Sequence, residues 1–204
     1  MSEQTDWQVW PLTAERWPDL ERLFGPRGAC GGCWCMYWRL PRRVFEANLG
    51  EANQCALRQL SQDDPAPGLI GYLGGEPVAW CALGPRETYP VLERSRVLKR
   101  VDDQPVWSVV CFFVARRWRH RGLTVRLLTA ACEYAAQHQA ALVEGYPVEP
   151  TAGKTSADAF VYTGLASSFV RAGFVEVARR SPTRPIMRYQ INQISETKES
   201  QNAD

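Results

Sequence analysis

No apolar run in this chain approaches the roughly 20 residues needed to span a bilayer. The polar opening MSEQTDWQVW also lacks the apolar segment of a secretory leader. Both absences point to the reducing cytoplasm, with no membrane partner. The seven cysteines are then expected as free or metal-bound thiols, not as bridges. Histidine is scarce: there are only His120 and His138, both far along the chain from the cysteine-rich segment. Neither sign of charge is in excess. A net +2 argues against wrapping a nucleic-acid backbone, so no nucleic-acid partner is expected. No internal repeat is visible.

What is present suits one globular domain. A chain of 204 residues, 45% apolar and 23% charged, can build a single core. The expected domain covers residues 1–194, and the polar stretch 195–204 reads as a disordered tail. Six of the eight tryptophans fall within the first 80 residues. Most are expected to fill core, and some to line a pocket.

The stretch 106–138 organises the rest. An apolar run, 106–114, leads into a basic segment, 115–121, that ends on Gly122. A helix-period segment follows, with Leu127, Leu128, Ala131, Cys132 and Ala135 on one face. The first N–H groups of a helix lack internal partners, and the helix dipole adds positive potential there. A strand running into a glycine at a helix start is therefore an anion site suited to a phosphorylated ligand. The other readings of the basic segment are a solvated turn and a nucleic-acid contact.

Around this unit, strands are expected at 7–12, 69–73, 77–83, 141–148, 174–180 and 186–191. Helices are expected at 13–24, at 45–60 with Phe45, Leu49, Ala52, Ala56 and Leu60 inward, and at 164–172, with a short one near 91–98. Residues 151–162 read as a loop. The order is β-α-α-β-β-β-α-β-α-β-β. This is an α/β (α+β) fold: a mixed sheet with hairpins at either end, a central parallel βαβ unit and flanking helices. A ligand cleft is expected at the carboxyl ends of the parallel strands.

Two local patterns carry a resemblance. Phe113-Val114 followed by Arg119-His120-Arg121-Gly122-Leu123-Thr124 resembles the pyrophosphate loop, Gln/Arg-x-x-Gly-x-Gly/Ala, of the GNAT family of N-acetyltransferases. Thr124 departs from that family's small last residue. Ser168-Phe169-Val170-Arg171-Ala172-Gly173-Phe174 is similar to the helix ending in Gly-Phe that closes the family's fold. With the element order, the resemblance covers residues 7–191. It implies an acyl-CoA N-acyltransferase-like sheet. It implies an enzyme moving an acetyl group from acetyl-CoA to an amine by direct attack, with acetyl-CoA as co-substrate and no metal. Arg119, His120, Arg121, Gly122, Leu123 and Thr124 would hold the pyrophosphate. Phe112, Phe113 and Val114 would pair with the pantetheine arm, and an N–H near Phe113 or Val114 would meet the developing oxyanion. The acceptor would be a small molecule or a peptide. Dimers are frequent among such folds, so a homodimer is one arrangement the resemblance allows.

Proton transfer is harder to assign. The family's tyrosine acid, four residues before the glycine of that helix, corresponds to Phe169, which has no proton to give. Tyr162, Ser167 and Ser168 are nearby candidates, each with a packing alternative. Glu144, in an apolar strand, is a candidate base or one half of a structural pair with an arginine. Glu87 is a looser candidate. The segment Cys30-Gly31-Gly32-Cys33-Trp34-Cys35 invites a zinc reading, but it offers three ligands where a tetrahedral site needs four. Trp34, Tyr37 and Trp38 read as an acceptor-pocket wall or as plain core. Two other functions remain open at this point. One is a non-catalytic CoA or acyl-CoA sensor of the same fold, favoured by Phe169. The other is a zinc- or redox-responsive module on the cysteine loop.

Overall fold

The computed structural model describes residues 6–150 and 161–191. The expected loop at 151–162 lies mostly outside these residues, and the tail at 195–204 wholly so. Seven strands form one sheet: β1 (Trp7–Pro11), β2 (Gly68–Leu73), β3 (Glu76–Pro85), β4 (Trp107–Val114), β5 (Leu142–Gly145), β6 (Val175–Arg179) and β7 (Pro185–Gln190). Their spatial order is β1-β2-β3-β4-β5-β7-β6. Only β4 and β5 run parallel; every other neighbouring pair is antiparallel.

The central strands are covered on both faces, which is why their sequences read as near-continuous apolar runs. On β3, Trp80 and Ala82 face one side, and Cys81 and Leu83 the other. The first side packs against helix α1 (Trp17–Phe24), whose Trp17, Leu20, Leu23 and Phe24 are all buried. The second packs against α5 (Leu123–Gln137) through Leu127, Leu128, Ala131 and Ala135. These are the inward faces that helical spacing predicts.

The expected single helix over 45–60 is two helices, α2 (Arg42–Ala47) and α3 (Glu51–Leu60). The chain breaks at Gly50, which has φ 91° and donates its N–H to the Gly32 carbonyl at 3.0 Å. A side chain on Gly32 would put its Cβ 2.5 Å from the Gly50 nitrogen, so the loop before α2 docks closely on this junction. The buried face of α3 is Asn53 and Leu57; Leu49 and Ala52 point to solvent. The short helix near 91–98 is one turn, α4 (Pro90–Glu93). Helix α6 (Ala166–Arg171) precedes Gly173, whose φ of 87° ends it as a C-terminal glycine should. Among the described residues no helix is long and apolar enough to cross a membrane.

Candidate active site

Strands β4 and β5 pair over three residues only: Trp107 with Val143, Ser108 with Glu144, and Val109 with Gly145. Beyond Val109 the two part, and β4 runs on alone to Val114 on that edge. Phe169 of α6 holds the gap open. Its ring is fully buried, 6.1 Å from Phe112 and 5.0 Å from Phe174. A Cβ on Gly145 would sit 2.1 Å from this ring, and one on Gly164 would sit 2.9 Å from it. Phe169 is thus a wedge that two glycines make room for.

Along the open edge, the Phe112 N–H donates to the Tyr162 carbonyl at 2.6 Å. Strand alternation aims the Val114 N–H the same way, and no described carbonyl meets it. The Val114 carbonyl accepts from Arg119 Nε at 3.1 Å. Of the expected rail 112–114, Phe112 already has a partner and Val114 still has a donor to offer.

After β4 comes a single 3-10 turn, Arg116–Trp118, and then two left-handed residues, His120 at φ 61° and Gly122 at φ 74°. Only there does α5 begin. The N–H groups of His120, Arg121, Gly122, Leu123 and Thr124 have no acceptor among the described residues; Val125 and Arg126 are the first to bond back, to the Gly122 carbonyl. Five successive free donors at the head of a 15-residue helix make an anion-binding nest. Arg117 and Arg121 flank the Trp118 ring, 5.6 and 4.8 Å from its centroid. Arg117 pairs with Glu76. Arg171 of α6 reaches to within 3.9 Å of where a Gly122 Cβ would stand. The six positions expected to hold a pyrophosphate therefore run from the loop into the first turn of α5, beside the Val114 edge.

Glu144 has a different setting from a general base. It is fully buried, and both its oxygens are taken. Oε1 accepts from Arg86 Nη1 at 2.9 Å and from the Tyr146 hydroxyl at 2.8 Å; Oε2 accepts from Arg188 Nε at 2.7 Å. Arg86 also binds Glu93 and the Leu98 carbonyl, and Arg188 forks onto Asp102 at 2.7 and 3.0 Å. Ser108 closes the network on Tyr146 at 2.7 Å. Burial and the neighbouring Glu144 push the Tyr146 hydroxyl well up, so it stays protonated. Of the two expectations for Glu144, the arginine pair is the one its contacts match. Nothing in the sequence near Glu144 marks Arg86 or Arg188 as its partners. Glu87 is exposed and pairs with Arg100, which lowers its pKa.

On the other side of β4 lies the cysteine loop. Trp34 is buried, stacked 5.8 Å from Trp17 and tilted against Phe24 at 5.5 Å. Trp38 is buried too. Both are core, because the tightly coiled loop turns them inward. Tyr37 is the exposed member of the expected wall, edge-on to Trp38, Phe45 and Tyr162 at 4.9, 5.4 and 6.3 Å. Cys35 and Cys111 touch at 3.5 Å between sulfurs, and Trp80 Nε1 donates to Cys35 at 3.2 Å. The Cys35 side chain and burial push the Cys33 thiol up. The Cys111 contact and burial push the Cys35 thiol up, with the Cys33 and Trp80 contacts opposing. Cys30 is exposed, and its carbonyl accepts the Cys33 N–H at 3.0 Å. Among the described residues no three metal-ligating side chains converge.

Tyr162 is half-buried, and burial raises its pKa, with Arg184 opposing. Ser168 lies half-buried on α6 without a described partner for its hydroxyl, and Ser167 is exposed. The structure thus sets Tyr162 beside Tyr37 and Phe112, and the nest beside Val114, and leaves Trp34, Trp38 and Glu144 inside.

Residues 34–148 match the family described as "Acetyltransferase (GNAT) family". No curated protein sequence matches the chain. Solved structures share the fold at low identity. A GNAT-family acetyltransferase from Streptococcus agalactiae superposes at TM-score 0.55 with 11% identity, over 93% of this chain and 98% of that one. One from Listeria monocytogenes gives 0.54 and 8%, over 91% and 95%. The PaiA N-acetyltransferase of Thermoplasma acidophilum, solved in complex with coenzyme A, gives 0.51 and 11%, over 92% and 100%. With the matched segment spanning more than half of the sequence, and with the mixed seven-stranded sheet and the strand-nest-helix unit in place, this chain belongs to the GNAT acetyltransferase family.

Proposed function

We propose that the protein transfers an acetyl group from acetyl-CoA to the amine of a small molecule or peptide, by direct attack and in the cytoplasm, with residues 1–194 acting as one domain. The observation that carries this reading is the run of five free N–H groups, His120 to Thr124, beside an open strand edge. The nest suits the pyrophosphate, with Arg121 and Arg171 adding charge. Arg119 braces the loop onto the Val114 carbonyl. The edge 112–114 suits an extended pantetheine arm, and the Val114 N–H suits the thioester oxygen, whose negative charge grows as the amine adds.

The chemistry then needs little from side chains. The neutral amine's lone pair attacks the carbonyl carbon. The tetrahedral intermediate collapses, the C–S bond breaks, the cationic nitrogen releases its extra proton to water, and the departing thiolate takes a proton. Tyr162 fits the donor's role best: it sits beside Phe112, and its raised pKa keeps it protonated. Ser168 is the second candidate. Glu144, bound on both oxygens, serves as the anchor that ties β5 to β7. Tyr37 lines the acceptor side, with Trp34 and Trp38 as its rigid backing. A second reading, a CoA-binding sensor without turnover, is favoured by one observation: Phe169 fills the position of the family's tyrosine acid with a ring that has no proton to donate.

The test is titration calorimetry with acetyl-CoA, followed by CoA release across a panel of amines. Binding is expected in the wild type and is lost in Gly122→Glu, where a carboxylate meets the pyrophosphate. Retained affinity in that variant sinks the nest as the site. Binding without CoA release for any amine favours the sensor.

A further inference from the structure

The turn between β6 and β7 carries an arginine drawn partly out of solvent. Arg184 is partly buried, and its Nη2 donates to the Tyr146 carbonyl at 3.1 Å. No carboxylate reaches it among the described residues. Two arginines buried more deeply are each held by two acids: Arg86 by Glu144 and Glu93, and Arg188 by Glu144 and Asp102. The acid nearest along this turn is Glu149, whose N–H donates to the Thr183 carbonyl at 2.9 Å, but its carboxylate is bound by Arg179. A guanidinium withdrawn from water without a counter-ion is costly to keep, and a guanidinium fork suits a carboxylate arriving from solution.

Its position says which carboxylate. Tyr146 follows Gly145, where β5 leaves β4. The Tyr146 ring packs in the core cluster that Phe45 and Tyr162 also pack against, on the face of the sheet opposite α5. Tyr162 is in turn bonded to Phe112. Arg184 therefore stands on the acceptor side of the open edge, while the phosphate-binding nest belongs to the start of α5. Tyr37, Phe45 and Tyr162 form an aromatic wall on that same face.

We propose that Arg184 receives the carboxylate of the acceptor, so that the substrate is a free amino acid with an apolar or aromatic side chain lodged against Tyr37, Phe45 and Tyr162. The assignment rests on the acetyltransferase reading above. It also implies that polyamines, which carry only positive charge, are poor acceptors.

The experiment measures CoA release with L-phenylalanine, L-leucine and L-methionine, with the amide of each, and with spermidine. Wild-type kcat/KM is expected to favour acids over amides by on the order of tenfold to a hundredfold, the range for a hydrogen bond to a charged group. Spermidine should be the weakest. Arg184→Gln is expected to erase the margin through KM, and Arg184→Lys to keep part of it; comparing proteins cancels the intrinsic reactivity of each amine. Should Arg184→Gln fail to fold, Arg184→Lys carries the comparison, because it keeps the charge and loses the fork. Acetyl-CoA affinity, titrated in parallel, should hold in both variants. If acetyl-CoA binds the wild type but acids have no advantage over amides, or the margin survives in Arg184→Gln, this assignment is overturned and the acetyltransferase reading stands. If acetyl-CoA does not bind the wild type, both fall.

Discussion

Glu144 and Tyr162 show how much a residue's surroundings decide its chemistry. A lone glutamate in an apolar strand invites a catalytic role, because burying an unpaired charge is so expensive. Here the charge is not unpaired. Two guanidinium groups and a phenol share it, and none of the bonds leads to the open edge. Glu144→Gln should therefore act on stability, leaving Arg86 and Arg188 short of negative charge, at a cost of about 3–5 kcal/mol. Denaturant unfolding checks this, with kcat measured on the folded fraction. A collapse of kcat at unchanged stability would return Glu144 to the role of base. Tyr162 is the converse case. Its folded pKa lies above the usual tyrosine value of about 10, so the proton-bearing form persists to higher pH than in a free tyrosine. The rate profile should rise with pH as the amine loses its proton, with no falling limb below about pH 10. Tyr162→Phe should lower kcat and leave the acetyl-CoA KM in place. An alkaline limb near neutrality, or an unchanged kcat in that variant, would remove Tyr162 from the mechanism.

At the scale of elements, the strand-nest-helix unit was legible because its parts obey local rules. An apolar run covered on both faces, a glycine able to adopt φ 74°, and a 3.6-residue repeat each leave a mark in sequence. The break between α2 and α3 left a weaker mark. Gly50 is visible, but the Gly32 carbonyl that captures its N–H lies 18 residues back in a loop without periodicity. Likewise, Glu144 stood out as a charge, while Arg86 and Arg188 are 58 and 44 residues away along the chain. Trp34 looked the same whether it faced a pocket or the core, since burial depends on how the loop coils. Phe169 was legible only as a missing acid. The structure makes it the wedge under the β4–β5 gap, and this has a measurable consequence. Gly145→Ala should drive a methyl into the ring and cost about 1–3 kcal/mol or more. Adding Phe169→Leu should recover part of that loss, a coupling that a double-mutant cycle in denaturant detects. Simple additivity would mean that the ring does not hold the gap.

The whole molecule is a sheet of two parts. Strands β1 to β4 form one ladder, and β5, β7 and β6 another, joined by three residue pairs, the Glu144 network and the Phe169 wedge. Both core clusters span the join, so the parts do not act as independent domains. They do leave a seam that opens toward the nest. A ligand lying along the seam would bond to β4 on one side and to the head of α5 beyond it. Saturation at about 100 times Kd should then raise unfolding free energy by about 2.7 kcal/mol. The stabilisation should also have a fixed address. In hydrogen exchange with and without acetyl-CoA, the amides of His120 to Thr124 and of Val114 should gain protection, because they have no acceptor among the described residues. Phe112, already bonded to the Tyr162 carbonyl, should change little. Protection spread evenly over both ladders would mean that the ligand tightens the fold without lying in the seam. A gain at Phe112 in place of Val114 would mean that the Tyr162 segment withdraws on binding and that the rail lies two residues earlier on β4.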